Sequence, residues 1–380
     1  MTLEEFTAQL NANTFWKEFT FSETRFFPRP KQQVELADGI VKIGSLALVF
    51  QLEERTEETL DPKTERQWFR RKVLGKAMDQ IKASLRYLAE NEKTDKATRL
   101  RLEVVTLKTS KRSSFSSLDS RYLRTAGRPN STSRRPPALS TVAAHDYLGI
   151  LDKLRVPDDV RLYFEYREAV LPRLREAGTV MEEPDIMVAF LSEKDLPEPE
   201  SIGRLHAFVQ DLDAFDLSNI MRDLEAHIVN PERSSDYYRI MEEFARVPRS
   251  VWREFKTRLV ISLEARAFRF ALPKTDCTFM VASMDPDWPV TGVDGTRMRT
   301  NAVVMFTRAA KYDLKTRVGV GLLISKDGEY FQLDWCVVDE SWAANPKMEE
   351  LLATTSLFGP TRERMVDSFL FLNANSEMEV

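Results

Sequence analysis

The sequence predicts an α/β amino-terminal domain with a mixed sheet flanked by helices, then a helical connector and an α+β carboxy-terminal domain. Three observations carry that prediction. Two neighbouring apolar runs, residues 34–43 and 46–52, have strand length and are parted by Gly44-Ser45, a two-residue hairpin break. Behind them Phe69, Val73, Ala77, Ile81, Leu85 and Leu88 recur at spacings of three and four, the period of one helix face. Past residue 257 the pattern changes to short strand-like runs separated by turn residues.

In chain order, Leu3, Phe6, Leu10 and Phe19 suit an opening helix over 3–19, interrupted near 11–14. Residues 26–30 form an aromatic, proline-containing break. Residues 34–36 and 40–43 read as one strand and 46–52 as a second. LALVFQL is apolar at nearly every position, as in a strand buried on both faces. A polar loop (53–65) leads to a long helix over 66–89, with Arg70, Arg71, Lys76, Lys82 and Arg86 off its apolar face. Residues 100–107 read as a further strand.

From His145 the spacing of Tyr147, Ile150, Leu151 and Leu154 is helical, and Pro157-Asp158-Asp159 starts the next helix. Helical patterns continue over 206–228 and 237–244. Strands are expected at 259–263, 268–272, 278–283, 302–306, 318–325 and 330–337, the last pair joined by Lys326-Asp327-Gly328-Glu329, a turn with Asp-Gly inside it, and a closing helix starts at 348. These patterns divide the chain into a domain over 1–107, a basic Ser/Arg-rich loop or linker over 108–142, a mainly helical region over 143–256 and an α+β domain over 257–380.

The basic segment breaks the regular patterning. Between Lys108 and Thr141, Asp119 is the only acid among many serines and arginines. A plain linker, a loop contacting phosphates, or a stretch altered by compensating frameshifts all fit it. The chain as a whole has 380 residues and a net charge of -4, so no global field draws it to nucleic acid and any such binding needs a local basic surface. No window approaches the ~20 apolar residues of a membrane span. The acidic, amphipathic start lacks a signal peptide's pattern, so a cytoplasmic location is expected. Cys277 and Cys336 are the only cysteines and are expected as buried free thiols. His145, His206 and His227 have no partner at zinc-ligand spacing.

The chemistry concentrates in VELADGIVKIGSLALVFQLEER, residues 34–55. Gln51 and Glu53 are two apart and project to one face of their strand, with Asp38 on the neighbouring strand beside them. A carboxylate, an amide oxygen and a backbone carbonyl are the hard oxygen ligands that Mg²⁺ takes. A bound divalent cation neutralises charge on a phosphodiester under attack. The plain alternative is a hairpin whose Asp38, Gln51 and Glu53 are solvated polar ends.

This pattern resembles the PD-(D/E)xK, restriction-endonuclease-like nuclease superfamily over about residues 1–107. The resemblance implies a restriction-endonuclease-like fold, with Asp38 as metal-binding aspartate, Gln51 as the variable second ligand and the Leu52 carbonyl completing the metal shell. Glu18, or less well placed Glu23, would supply the helical acid, and Gln80 resembles a polar residue pointing back at the site in some relatives. Glu53 falls at the usual lysine position, where it has no positive charge but can act as a base. Arg55, Lys72 and Lys76 are the nearby cations. Asp38, Gln51 and Glu53 are thus the expected catalytic set, with Asp38, Gln51, Leu52 and Glu18 around Mg²⁺ or Mn²⁺. The implied function is endonucleolytic hydrolysis of DNA, in a superfamily common in defence against foreign DNA, and a homodimer is a compatible assembly. The alternative is a catalytically impaired nuclease fold that binds nucleic acid or protein as a regulatory module. Trp252, Trp288, Trp335 and Trp342 are candidates for stacking on bases, against the commoner role of core packing.

Overall fold

The computed structural model describes residues 2–22, 25–29, 32–35, 37–43, 46–54, 61–76, 79–80, 101–109, 138–179, 181–192, 195, 197, 215–224, 236–264, 269–274, 276–285, 287–288, 291–327, 330–355 and 357–358. The chain divides into two compact units, Met1–Gln210 with Ala374–Val380, and Asp211–Asn373. The division falls inside the stretch 143–256 that sequence patterning treats as one helical region. Its first helices belong with the amino-terminal sheet and its last ones with the second unit.

In the first unit, Thr2 caps helix α1 (Leu3–Phe15), its side chain accepting from the Glu5 backbone while Glu5 accepts from the Thr2 backbone. That reciprocal cap satisfies two donors at the helix start. The helix runs unbroken through the stretch where an interruption was expected and ends at Trp16, whose φ of 62° takes the chain out of helical geometry. A short 3₁₀ turn, Lys17–Phe19, then leads into strand β1 (Thr20–Ser22).

Next come β2 (Arg25–Arg29), β3 (Gln32–Glu35), β4 (Gly39–Ile43) and β5 (Leu46–Glu54). The expected single strand over 34–43 is two strands in different sheets. Among the described residues β3 pairs with β2 alone, whereas β4 lies between β1 and β5, and the chain bends at Asp38 between them. β4 and β5 pair antiparallel from Ile43↔Leu46 to Gly39↔Phe50, leaving Gly44 and Ser45 as the two-residue connection expected from sequence.

Helix α2 (Pro62–Trp68) follows and continues over Phe69–Lys76 with the wider π-type winding. The expected helix over 66–89 therefore starts earlier and changes pitch, and its part beyond Gln80 lies outside the described residues. Strand β6 (Arg101–Thr109) runs parallel to β5, and β7 (Ala138–Ala143) runs parallel to β6. The mixed sheet thus has the order β1-β4-β5-β6-β7. Both ends of the segment marked as a linker are strand, and residues 110–137 lie outside the described residues.

Helices α3 (Ala144–Lys153), α4 (Pro157–Glu176) and α5 (Glu183–Leu191) complete the unit. Tyr147 of α3 packs its ring 5.6 Å from that of Phe50 and donates its hydroxyl to Asn11 of α1 at 2.7 Å. Hence α1 and α3 share the Phe50 face of the sheet. Gln51 and Glu53, offset by one and three residues, belong to the opposite face.

The second unit is built differently from its sequence expectation in two places. After α6 (Ser218–Asp223) and α7 (Asp236–Ala245), the run 259–263 is not a strand but the end of helix α8 (Arg249–Glu264). Trp252, Phe255, Leu259 and Ser262 bury one face of α8, and that helical spacing overrides the β-branched Val260-Ile261 pair. Residues 302–306, also expected as strand, lie within α9 (Gly292–Asp313), where Ala302, Val303, Phe306, Ala309 and Ala310 line the buried side. Gly292, Val293, Asp294 and Gly295 form the first turn of that helix.

Strands β8 (Arg269–Lys274), β9 (Cys277–Ser283), β10 (Val318–Asp327) and β11 (Tyr330–Asp339) form a sheet ordered β11-β10-β9-β8, with β9 and β10 parallel across α9. Helix α10 (Pro346–Thr355) closes the described part. One face of the sheet meets an aromatic cluster in which Phe244, Phe255, Phe279 and Trp335 lie with ring centroids 4.7–6.2 Å apart. α9 covers the other face through Met280, Phe306 and Leu323. Cys277 is buried and Cys336 half-buried, both as free thiols. No helix among the described residues is long and apolar enough to cross a membrane.

Candidate active site

The polar end of β5 stands out because its neighbours are core. Phe50 is fully buried, yet the chain continues through Gln51 at 4% exposure and Glu53 at 9%. Burying an amide and a carboxylate costs free energy unless each is bonded, so these positions ask for partners. Asp38 is one of them. The Asp38 backbone N–H donates to the Phe50 carbonyl at 3.2 Å, which fixes the bend against the end of β5. Its carboxylate then accepts at Oδ2 from Gln51 Nε2 at 2.6 Å and from the Leu52 backbone N–H at 2.5 Å.

Asp38, Gln51 and Leu52 are therefore brought together as the sequence spacing implied, although Asp38 reaches them from a bend and not from within a strand. Glu53 lies on the Gln51 side of β5. The parallel ladder sets Gln51 beside Thr106 and Glu53 beside Lys108 on β6. That register between strands is a placement that motif spacing within residues 34–55 does not contain.

Glu18 is not brought to this end. It lies in the 3₁₀ turn before β1, and β1 pairs Thr20 with Val41 and Ser22 with Gly39. The antiparallel direction carries Glu18 toward the Ile43 end of β4, while Asp38 precedes Gly39. Glu23 and Arg55 lie outside the described residues. Lys72 is exposed on the π-wound stretch, and Gln80 is half-buried on a helical turn.

The tryptophans are mostly structural. Trp252 is buried and donates Nε1–H to the Phe244 carbonyl at 2.8 Å. Trp335 stacks on Phe255 with an interplanar angle of 18°. Trp342 stacks on Tyr312 and donates to its carbonyl. Trp288 is 38% exposed.

Could these residues hold a divalent cation? The donors at the end of β5 are all oxygens: the Asp38 and Glu53 carboxylates, the Gln51 amide oxygen and the Leu52 carbonyl. That set suits Mg²⁺ or Mn²⁺ in kind. Gln51 turns its amide nitrogen toward Asp38 here, so holding a cation between the two side chains takes the opposite amide orientation. Among the described residues no three His, Cys, Asp or Glu side chains cluster as a metal site. A cation at this place would thus depend on the amide and carbonyl oxygens as much as on carboxylates.

No family model matches the chain, and no curated protein matches it.

Proposed function

We propose that the chain is a divalent-cation-dependent nuclease of the restriction-endonuclease-like type, acting on DNA phosphodiesters with Asp38, Gln51 and Glu53 at its site. The observation that carries this reading is the Asp38–Gln51 contact at the end of β5, with Glu53 two residues on and on the same buried face. The mixed order of the sheet, with an antiparallel β4–β5 pair followed by a parallel strand after α2, also supports it. Defence against foreign DNA, and a homodimer that would cut both strands, belong to the same reading.

On this reading Asp38, the Gln51 amide oxygen and the Leu52 carbonyl hold Mg²⁺ or Mn²⁺. When bound, the cation screens the negative charge of the scissile phosphate. Glu53 takes a proton from water, the water oxygen forms a bond to phosphorus, and one P–O ester bond breaks. The departing alkoxide leaves as the alcohol after gaining a proton from solvent. Gln51 orients the attacked phosphate, and the Leu52 N–H holds the Asp38 carboxylate in place.

A second reading is favoured by one specific feature. Glu53 stands where this family has lysine, and Asp38 Oδ2 already accepts two N–H donors. A nuclease fold without turnover, binding nucleic acid or protein as a regulatory module, accounts for both.

Plasmid cleavage in Mg²⁺ or Mn²⁺ separates the two. Nicking by the wild-type chain that Asp38→Ala abolishes, and that Glu53→Gln slows by about 100-fold as loss of a general base does, supports catalysis. Cleavage by Glu53→Lys alone supports the binding module. If no variant cuts, and Asp38→Ala leaves cation-dependent DNA binding untouched, the nuclease-like site is wrong.

A further inference from the structure

We infer that β11 is the seam of a two-fold dimer, in which a second copy of this chain lays its own β11 antiparallel along the open edge, centred on Leu333. The inference does not rest on the nuclease reading. β11 is the last strand of its sheet, and among the described residues β10 alone pairs with it. Its outer edge therefore offers backbone donors and acceptors to a strand that comes alongside.

Proteins guard such edges with prolines, lysines, bulges or short strands. The opposite edge of this sheet is guarded in that way. β8 has six residues and carries Pro273, which has no N–H to offer, between Arg269 and Lys274. β11 has ten residues and no proline, lysine or arginine, and its ladder with β10 runs from Val318↔Asp339 to Asp327↔Tyr330 without a bulge. Its two acids are already neutralised by arginines of the same unit. Arg299 donates to Asp334 at 2.9 Å, while Arg317 and Arg239 hold Asp339. Tyr330, Phe331 and Leu333 stand exposed along the strand. The edge is thus open, long and apolar, with its own charges satisfied.

The order of residues along β11 selects a second β11 as the occupant. A two-fold axis perpendicular to the sheet keeps every side chain on its own face, so opposed residues are an even number apart. Centring on Leu333 sets Leu333 beside its symmetry mate and Phe331 beside the partner's Trp335. Both exposed apolar residues of that face are then covered, because directly opposed side chains lie about 5 Å apart. On the α9 face the same centre sets Gln332 against the partner's Asp334 twice, an amide donor against a carboxylate. Other centres fit worse. Centring on Asp334 opposes two carboxylates, which is unfavourable. Centring on Trp335 or Cys336 sets Asp339 against Phe331 or Leu333, and centring on Gln332 shortens the pairing and sets Asp334 against Tyr330. About Leu333 the strand is complementary to itself in charge and in apolar surface.

The test is sedimentation of the full chain over a range of concentrations, with crosslinking through cysteines introduced on β11. The wild-type chain is expected to show a monomer–dimer equilibrium. Leu333→Lys puts two like charges together at the axis and should weaken the dimer by about 100-fold. Gln332→Glu sets carboxylate against carboxylate twice and should weaken it by about tenfold, whereas Gln332→Lys, facing Asp334, should keep it. Leu333→Cys should form a disulfide dimer on mild oxidation, because directly opposed Cα atoms lie within disulfide range, and Phe331→Cys should not. A wild-type chain that sediments as a monomer up to about 100 µM overturns the inference, as does an association that Leu333→Lys leaves unchanged. Equal crosslinking through Phe331→Cys and Leu333→Cys overturns the pairing about Leu333. Far-UV circular dichroism checks that each variant is folded. Should Leu333→Lys fail to fold, Gln332→Glu and the disulfide decide.

Discussion

At the residue scale the amino-terminal unit contains a second, half-buried carboxyl group that the proposed site does not use and that pH can interrogate. Ser140 on β7 donates its hydroxyl to Glu168 of α4 at 2.7 Å, and Arg167 lies 3.4 Å from the same carboxylate oxygen. Burial nonetheless raises the Glu168 carboxyl above its usual range, outweighing the opposing pull of Ser140 and Arg167. A carboxyl group raised on folding stabilises the fold in its protonated form. Its contribution is complete below the unfolded-state value of about 4.3 and is lost as pH rises through the higher folded value. Glu168→Gln keeps the acceptor for Ser140 and removes the titration. Urea midpoints of the variant relative to wild type should therefore shift in its favour as pH rises above about 4.3 and through the raised folded value. A parallel pH dependence in both proteins would refute the role of Glu168. Arg167 belongs to a different balance, since Glu183 takes its Nε–H at 2.7 Å and holds it charged despite burial.

At the scale of elements, the two antiparallel pairs β4–β5 and β10–β11 show what pattern reading captures, and the parallel register of β5 with β6 what it misses. The strands around Gly44-Ser45 and Lys326–Glu329 were legible because turn residues between apolar runs are local signals, although β10 runs on to Asp327 and β11 to Asp339. Residues 259–263 and 302–306 were misread as strands because Val260-Ile261 and Val303-Val304 have β character over a few residues. Their helical spacing shows only across the whole of α8 and α9. The joining of Asp38 to Gln51 was legible from spacing. The register of β6 against β5 was not, because strand partners some fifty residues apart leave no local trace.

The packing of α9 on β10 is similarly hidden in sequence. A Cβ built on Gly321 would lie 1.8 Å from Thr307 Oγ1, and one on Gly319 2.9 Å from Thr307 Cγ2. The strand must therefore be glycine where this threonine crosses it. Gly321→Ala is expected to destabilise by about 3 kcal/mol through overpacking. Thr307→Ala in the same chain should recover part of that loss, and strictly additive urea midpoints would contradict the contact.

At the scale of the whole molecule, each unit has its own sheet and its own buried apolar residues. Separate cores predict separate unfolding events. Calorimetry of the full chain should resolve two transitions, with Asp38→Ala lowering one and Gly321→Ala the other. A single transition moved by both substitutions would mean that the units unfold as one. The net charge of -4 adds a constraint of its own. The DNA binding proposed above would have to come from local cations, and it should then weaken steeply as salt rises.

The parallel pairing of β6 with β7 has a consequence for connectivity. Strands that run the same way cannot be joined by a tight turn, because the end of one lies a sheet's length from the start of the next. What seats Ala138–Ala143 beside Arg101–Thr109 is therefore a ladder of hydrogen bonds, not the closeness of the covalent link.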